Sequence, residues 1–194
     1  MNYLEIFGLI VGLAYLWLEY RASIYLWAAS IIMPAINLKV YFDAGLYADF
    51  AIDIYYLLIA IYGFFAWRYG FDREKKARKE ALPVSHTLRR QIPILIAAQL
   101  LLWALISFVL IRYTNSTVPY ADAFTTATSI VAMWMLARKQ AEQWLVWIVV
   151  DVVTVGLYAY KGLYLYAGLY SLYTVIAVFG YRRWLRLIPS DNNE

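Results

Sequence analysis

Two carboxylates stand deep in apolar stretches with no lysine or arginine in the middle of those stretches to neutralise them: Asp53, within Tyr47–Trp67, and Asp151, within Glu142–Tyr160. An ionisable group at membrane depth costs about 3 kcal/mol on insertion scales, so it marks a functional interior by default. Asp49, Asp53 and Tyr56 follow i, i+4, i+7 and share one helix face; Trp147, Asp151, Thr154 and Tyr158 repeat that spacing through i+11. Ser30, Asn37 and Tyr41 are spaced in the same way around Pro34, whose ring removes a backbone donor and can free a carbonyl. A desolvated carboxylate either takes up a proton or waits for a cation. Tyr55, Tyr56 and Tyr62, Trp144 and Trp147, and Tyr164, Tyr166, Tyr170 and Tyr173 surround these positions in sequence. Carboxylates among aromatic faces suit a flat organic cation, through charge pairing, stacking and cation–π attraction. The expected binding set is Asn37, Asp53, Tyr56, Trp144, Trp147, Asp151 and Tyr170.

Other roles compete for the same residue types. Asp53 and Asp151 could bridge helices as protonated acids. Tyr3, Trp67, Tyr69, Tyr160, Tyr164 and Trp184 fit interfacial belt positions. Asp122 and Glu5 fall near the outer ends of their stretches and are expected to be solvated, and the lone His86 to be exposed; Asp49 could be solvated near the outer interface or reach the substrate. Gln99 could face a substrate or join two helices.

The elements that must position these groups are membrane helices. The chain is 64% hydrophobic and 15% charged, with a mean hydropathy of +0.59, too apolar for a soluble domain of 194 residues. Seven stretches approach the roughly 20 residues that cross a bilayer: Tyr3–Tyr20, Ile24–Phe42, Tyr47–Trp67, Ile92–Tyr113, Ala121–Leu136, Glu142–Tyr160 and Gly162–Tyr181. They are apolar on every face, which excludes the alternation of a barrel. With the N-terminus outside and the C-terminus cytoplasmic, all of the 17 basic residues except Lys39, Arg112 and Lys161 lie inside. The basic N-terminal region and cleavage site of a removable signal peptide are not found.

An internal repeat groups the spans. Adding 117 to a residue number carries Trp17 to Trp134, Arg21 to Arg138, Trp27 to Trp144, Tyr41 to Tyr158, Gly63 to Gly180 and Trp67 to Trp184. Spans one to three thus match spans five to seven and run parallel to them, with span four as connector. The expected fold is an all-α integral membrane protein of seven helices in a 3+1+3 arrangement. Residues 3–67 form the first repeat, 68–91 a basic cytoplasmic loop, 92–113 the linker helix, 121–184 the second repeat and 185–194 a cytoplasmic tail. Parallel repeats point to a transporter, with a substrate site between the bundles near mid-membrane.

Other classes lack their chemistry. There are no cysteines, hence no disulfides or thiolate metal sites, and no His/Glu metal cluster or Ser/His pair lies within the spans. No phosphate-binding Gly-rich loop is present, and the last span has no lysine for a Schiff base, since Lys161 precedes it. The basic residues form short clusters rather than a face for nucleic acid. Neither an enzyme nor a bound cofactor is expected.

The segments Gly45-Leu46-Tyr47, Ile61-Tyr62-Gly63-Phe64-Phe65-Ala66-Trp67, Trp144-Leu145-Val146-Trp147-Ile148-Val149-Val150-Asp151, Lys161-Gly162-Leu163-Tyr164 and Phe179-Gly180-Tyr181-Arg182-Arg183-Trp184 resemble the PnuC family of bacterial vitamin transporters. The resemblance implies two three-helix bundles joined by a central helix, similar to a SWEET-type transporter in opposite orientation. It implies facilitated diffusion of an unphosphorylated vitamin across the cytoplasmic membrane, trapping by a cytoplasmic kinase, and assembly as a homotrimer. In the family's nicotinamide riboside carriers a glutamine stands at the position of Asp53, and an asparagine can stand at that of Asp151. Two carboxylates here resemble instead the thiamine-transporting PnuT branch. Thiamine is therefore the expected substrate, with nicotinamide riboside as the alternative.

Overall fold

The computed structural model describes residues 3–43, 47–70 and 81–189. Seven α-helices of 18 to 23 residues dominate them: α1 (Tyr3–Tyr20), α2 (Leu26–Asp43), α3 (Tyr47–Tyr69), α4 (Ile92–Tyr113), α5 (Pro119–Ala137), α6 (Gln143–Tyr160) and α7 (Tyr164–Leu185). Each expected span coincides with a helix, and the bounds of α1 and α4 agree with expectation. Helix α2 continues through Pro34. Helices close every backbone hydrogen bond within one segment, which lipid requires.

Two compact units divide the chain. The first holds α1–α3 and the turn Ala137–Lys139; the second holds α4, the rest of α5, α6 and α7. Helix α4 falls within the second unit. The indole of Trp103 donates to Tyr120 O at 2.8 Å and packs edge-on to Phe124, which fastens α4 to α5.

The 117-residue offset is written into the geometry of each unit. Helices α2 and α6 begin and end at equivalent residues, and α3 and α7 begin at equivalent residues. In the first unit Trp27 meets Trp67 edge-on, centroids 5.6 Å apart at 88°. In the second, the equivalent Trp144 and Trp184 meet at 5.9 Å and 87°. Gly63 and Gly180 make room for these rings: a Cβ on Gly63 would run into Trp27, and one on Gly180 would stand 2.7 Å from Cε2 of Trp144. Each unit thus locks its two best-packed helices, α2 with α3 and α6 with α7, by a ring pressed against a glycine. All four indoles are buried, which corrects the expectation that Trp67 and Trp184 are belt anchors. Tyr160 and Tyr164, 78% and 75% exposed, have the exposure that a belt position needs.

The helix ends repeat too. Ala22 and the equivalent Lys139 both have positive φ, 51° and 57°. Ser23 N donates to Leu18 O at 2.9 Å, and Gln140 N donates to Met135 O at 3.0 Å, so α1 and α5 end in the same six-to-one closure around a left-handed residue. Glycine usually takes that position, and its absence hides both turns from a reading of the sequence.

Four stretches among the described residues are long and apolar enough to cross a bilayer: Phe50–Tyr69, Arg89–Tyr113, Gln143–Tyr160 and Tyr164–Leu185. Helix α5 carries more hydroxyls. Thr125, Thr126, Thr128 and Ser129 each donate to a carbonyl three or four residues earlier, at 2.6–3.2 Å, so these polar groups are satisfied within the helix itself.

Candidate substrate-binding site

The second unit builds its candidate site on α6 and α7. Asp151 is 6% exposed near the middle of α6. Across from it α7 presents Tyr170 and Tyr173, both close enough to feel its charge. One turn before Asp151, the buried indole N–H of Trp147 has no acceptor among the described residues. Among the described residues, the ion pairs of this unit join His86 to Glu142 and Lys161 to Asp122, and none involves Asp151. A buried acid, tyrosine faces and an unused donor are the groups that a flat cation carrying an acceptor would need.

The first unit has its own buried polar line. Asp53, on α3, is 7% exposed and interacts with Tyr56 one turn away. Tyr56 lies 5.7 Å from Tyr55, centroid to centroid, and interacts with Tyr15 of α1. Tyr15 in turn hydrogen-bonds Glu19, which is 1% exposed. Glu19 was missed by sequence reasoning because it lies in the last turn of its span; the i, i+4 spacing from Tyr15 was the available signal.

Other expectations resolve individually. Trp144 is packed against Gly180 and Trp184 at 1% exposure, a ring that holds helices together and has no open face for substrate. Gln99 joins helices, donating to Thr128 Oγ1 at 2.8 Å. Asp122 accepts from Ser116 Oγ at 2.7 Å and pairs with Lys161 at 3.5 Å. The side chains of Asn37, Tyr41 and Asp49 lie outside the described residues.

Each unit also holds a polar group that the sequence did not single out. In the first unit Lys139 donates to Leu82 O at 2.8 Å and lies 4.5 Å above the Trp67 ring. Burial lowers its pKa from 10.5 to about 8. In the second unit Glu142 accepts from Thr87 N at 2.7 Å and Thr87 Oγ1 at 2.9 Å, and meets His86 Nδ1 at 2.6 Å. Burial pushes the Glu142 carboxyl up, but the bonds from His86 and Thr87 outweigh it and hold the group below its ordinary 4.5. His86, expected to be merely exposed, is thus tied at one ring nitrogen.

A multi-pass helical protein of two repeats, with a buried acid faced by aromatic rings, has the form of a membrane transporter for small organic molecules. The family model described as nicotinamide mononucleotide transporter matches residues 2–186, so the chain belongs to that family, the PnuC family; it is a membrane transporter and no enzyme. It is 25% identical to the nicotinamide riboside transporter PnuC of Escherichia coli strain K12, over 95% of this chain and 86% of that protein. It is 27% identical to the riboflavin/roseoflavin transporter RibM of Streptomyces davaonensis, over 93% of this chain and 83% of that one. The crystal structure of the vitamin B3 transporter PnuC superposes with a TM-score of 0.66 at 24% identity, covering 92% of this chain and 79% of that one, a likeness of fold.

Proposed function

We propose that this protein takes up nicotinamide riboside by facilitated diffusion across the bacterial cytoplasmic membrane. Phosphorylation by a cytoplasmic kinase would hold the product inside. The observation that carries the reading is Asp151, buried opposite Tyr170 with no ion pair among the described residues, in a chain whose relatives are named for ring-bearing vitamins. Nicotinamide riboside bears a flat cationic ring and a carboxamide, which fits an acid, a tyrosine face and the Trp147 N–H. The thiamine expectation drawn from the two carboxylates gains no support from the relatives described above, whose names specify nicotinamide riboside and riboflavin.

In this reading Asn37, Asp53, Tyr56, Trp147, Asp151 and Tyr170 contact substrate, and Trp144 acts by packing. The seven helices cross the membrane as 3+1+3, with the N-terminus outside and the C-terminus in the cytoplasm. The homotrimer implied by family resemblance belongs to the same proposal. The test is a calorimetric titration of purified protein with nicotinamide riboside, thiamine and riboflavin in turn. Micromolar binding of nicotinamide riboside supports the assignment; binding of thiamine alone would reverse it.

A further inference from the structure

Tyrosines of the second unit continue past the buried acid toward the α6–α7 turn. Tyr166, Tyr170 and Tyr173 are spaced i, i+4, i+7 on α7, and Tyr158 stands seven residues beyond Asp151 on α6, so each set shares a helix face. Tyr158 lies 5.5 Å from Tyr166 with planes 29° apart, and 5.4 Å from Tyr170 at 35°. Tyr170 then meets Tyr173 at 5.4 Å, and Asp151 acts on both. The rings therefore step without interruption from Tyr166, 44% exposed, to an acid that is 6% exposed.

We propose that Tyr158 and Tyr166 form an arrival site, where a flat cationic ring stacks before it moves to Asp151. The inference rests on the transport reading above, and on the orientation that places the α6–α7 turn outside. Two features separate these rings from belt tyrosines. Tyr160 and Tyr164, on either side of the same turn, are 78% and 75% exposed, whereas Tyr158 and Tyr166 are turned toward each other and are more covered. The first unit also departs from the pattern. Asp49 and Asp53 occupy the positions equivalent to Tyr166 and Tyr170, so the two-ring step on the last helix belongs to the second unit alone. Stacking on a π-face is tolerant of ring identity and reversible, which suits a first contact; the charge of Asp151 then draws the cation inward. Tyr166 is the ring able to swing aside, because it is the most exposed of the set.

The test is stopped-flow tryptophan fluorescence of the full-length protein in detergent, mixed with nicotinamide riboside, alongside equilibrium titration. An arrival site on the path speeds binding and release alike. Tyr166→Leu should slow both about tenfold, Tyr166→Phe should recover most of the rate, and the exposed neighbour change Leu165→Ala should leave it at the wild-type value. A Tyr166→Leu protein that binds at the wild-type rate overturns the inference. So does one that loses affinity while its association rate is unchanged, since that ring would then belong to the final site. Should Tyr166→Leu fail to fold, Tyr158→Phe and Tyr158→Leu supply the same comparison. Failure of the wild-type protein to bind nicotinamide riboside would instead count against the transport reading, a result separate from any of these.

Discussion

Replacing Gly180 with alanine tests the ring-on-glycine lock directly. The new Cβ would stand 2.7 Å from Cε2 and 2.8 Å from Cδ2 and Cζ2 of Trp144, where carbon atoms prefer about 3.5–4.0 Å. The Trp144 ring is 1% exposed and braced edge-on by Trp184, itself fully buried, so relief requires the helix or the ring pair to move by about 1 Å. Overpacking of this kind costs about 1–3 kcal/mol. Gly156, in the interior of α6, provides the control, since a Cβ there meets nothing within 4 Å. Both changes gain the same helix propensity, about 1 kcal/mol, which cancels in the comparison. The two variants should therefore differ by about 1–3 kcal/mol, or roughly 2–12 °C in apparent Tm for a chain of this length. Thermal unfolding in one detergent, followed by tryptophan fluorescence, reads the difference. Equal melting temperatures for Gly180→Ala and Gly156→Ala would refute the reasoning.

Further consequences concern charge. Asp151→Asn should weaken nicotinamide riboside by more than about 1 kcal/mol, since it removes the buried charge that faces a cation; unchanged affinity in a folded protein would make Asp151 structural. Lys139 has a pKa lowered to about 8, so the folded state sheds its proton before the unfolded state does. Stability should then rise between pH 8 and about 10.5, and denaturation of Lys139→Met should lack that rise. Glu142 is held below its ordinary value, so its contribution is present above about pH 4.5 and is lost as pH falls through the lower folded value. The Glu142→Gln variant should show a flatter acid unfolding profile than wild type; an identical profile would contradict the role of the Thr87 and His86 bonds.

Much of the fold was legible because bilayer thickness fixes helix length and the 117-residue offset fixes which helices correspond. The offset matched Trp27 to Trp144 and Trp67 to Trp184, but it gave neither the contact of the two rings within each unit nor their burial. Apolarity alone cannot tell a ring facing lipid from a ring facing a glycine, which is why Trp67 and Trp184 were misread as belt residues. Asp53 and Asp151 stood out because a charge in an apolar run has a cost that demands a reason. The buried Glu19 and the half-buried Glu142 did not, because near helix ends an exposed and a covered acid look the same in sequence. The closures around Ala22 and Lys139 escaped notice for want of the glycine that normally signals them.

Passive carriage of nicotinamide riboside is open to direct test. Its most direct measurement is uptake of labelled nicotinamide riboside into proteoliposomes holding only this protein, without ATP or an ion gradient. Passive carriage predicts uptake that stops when inside and outside concentrations are equal and that is slowed in Asp151→Asn. Liposomes that take up labelled thiamine but exclude nicotinamide riboside would contradict it.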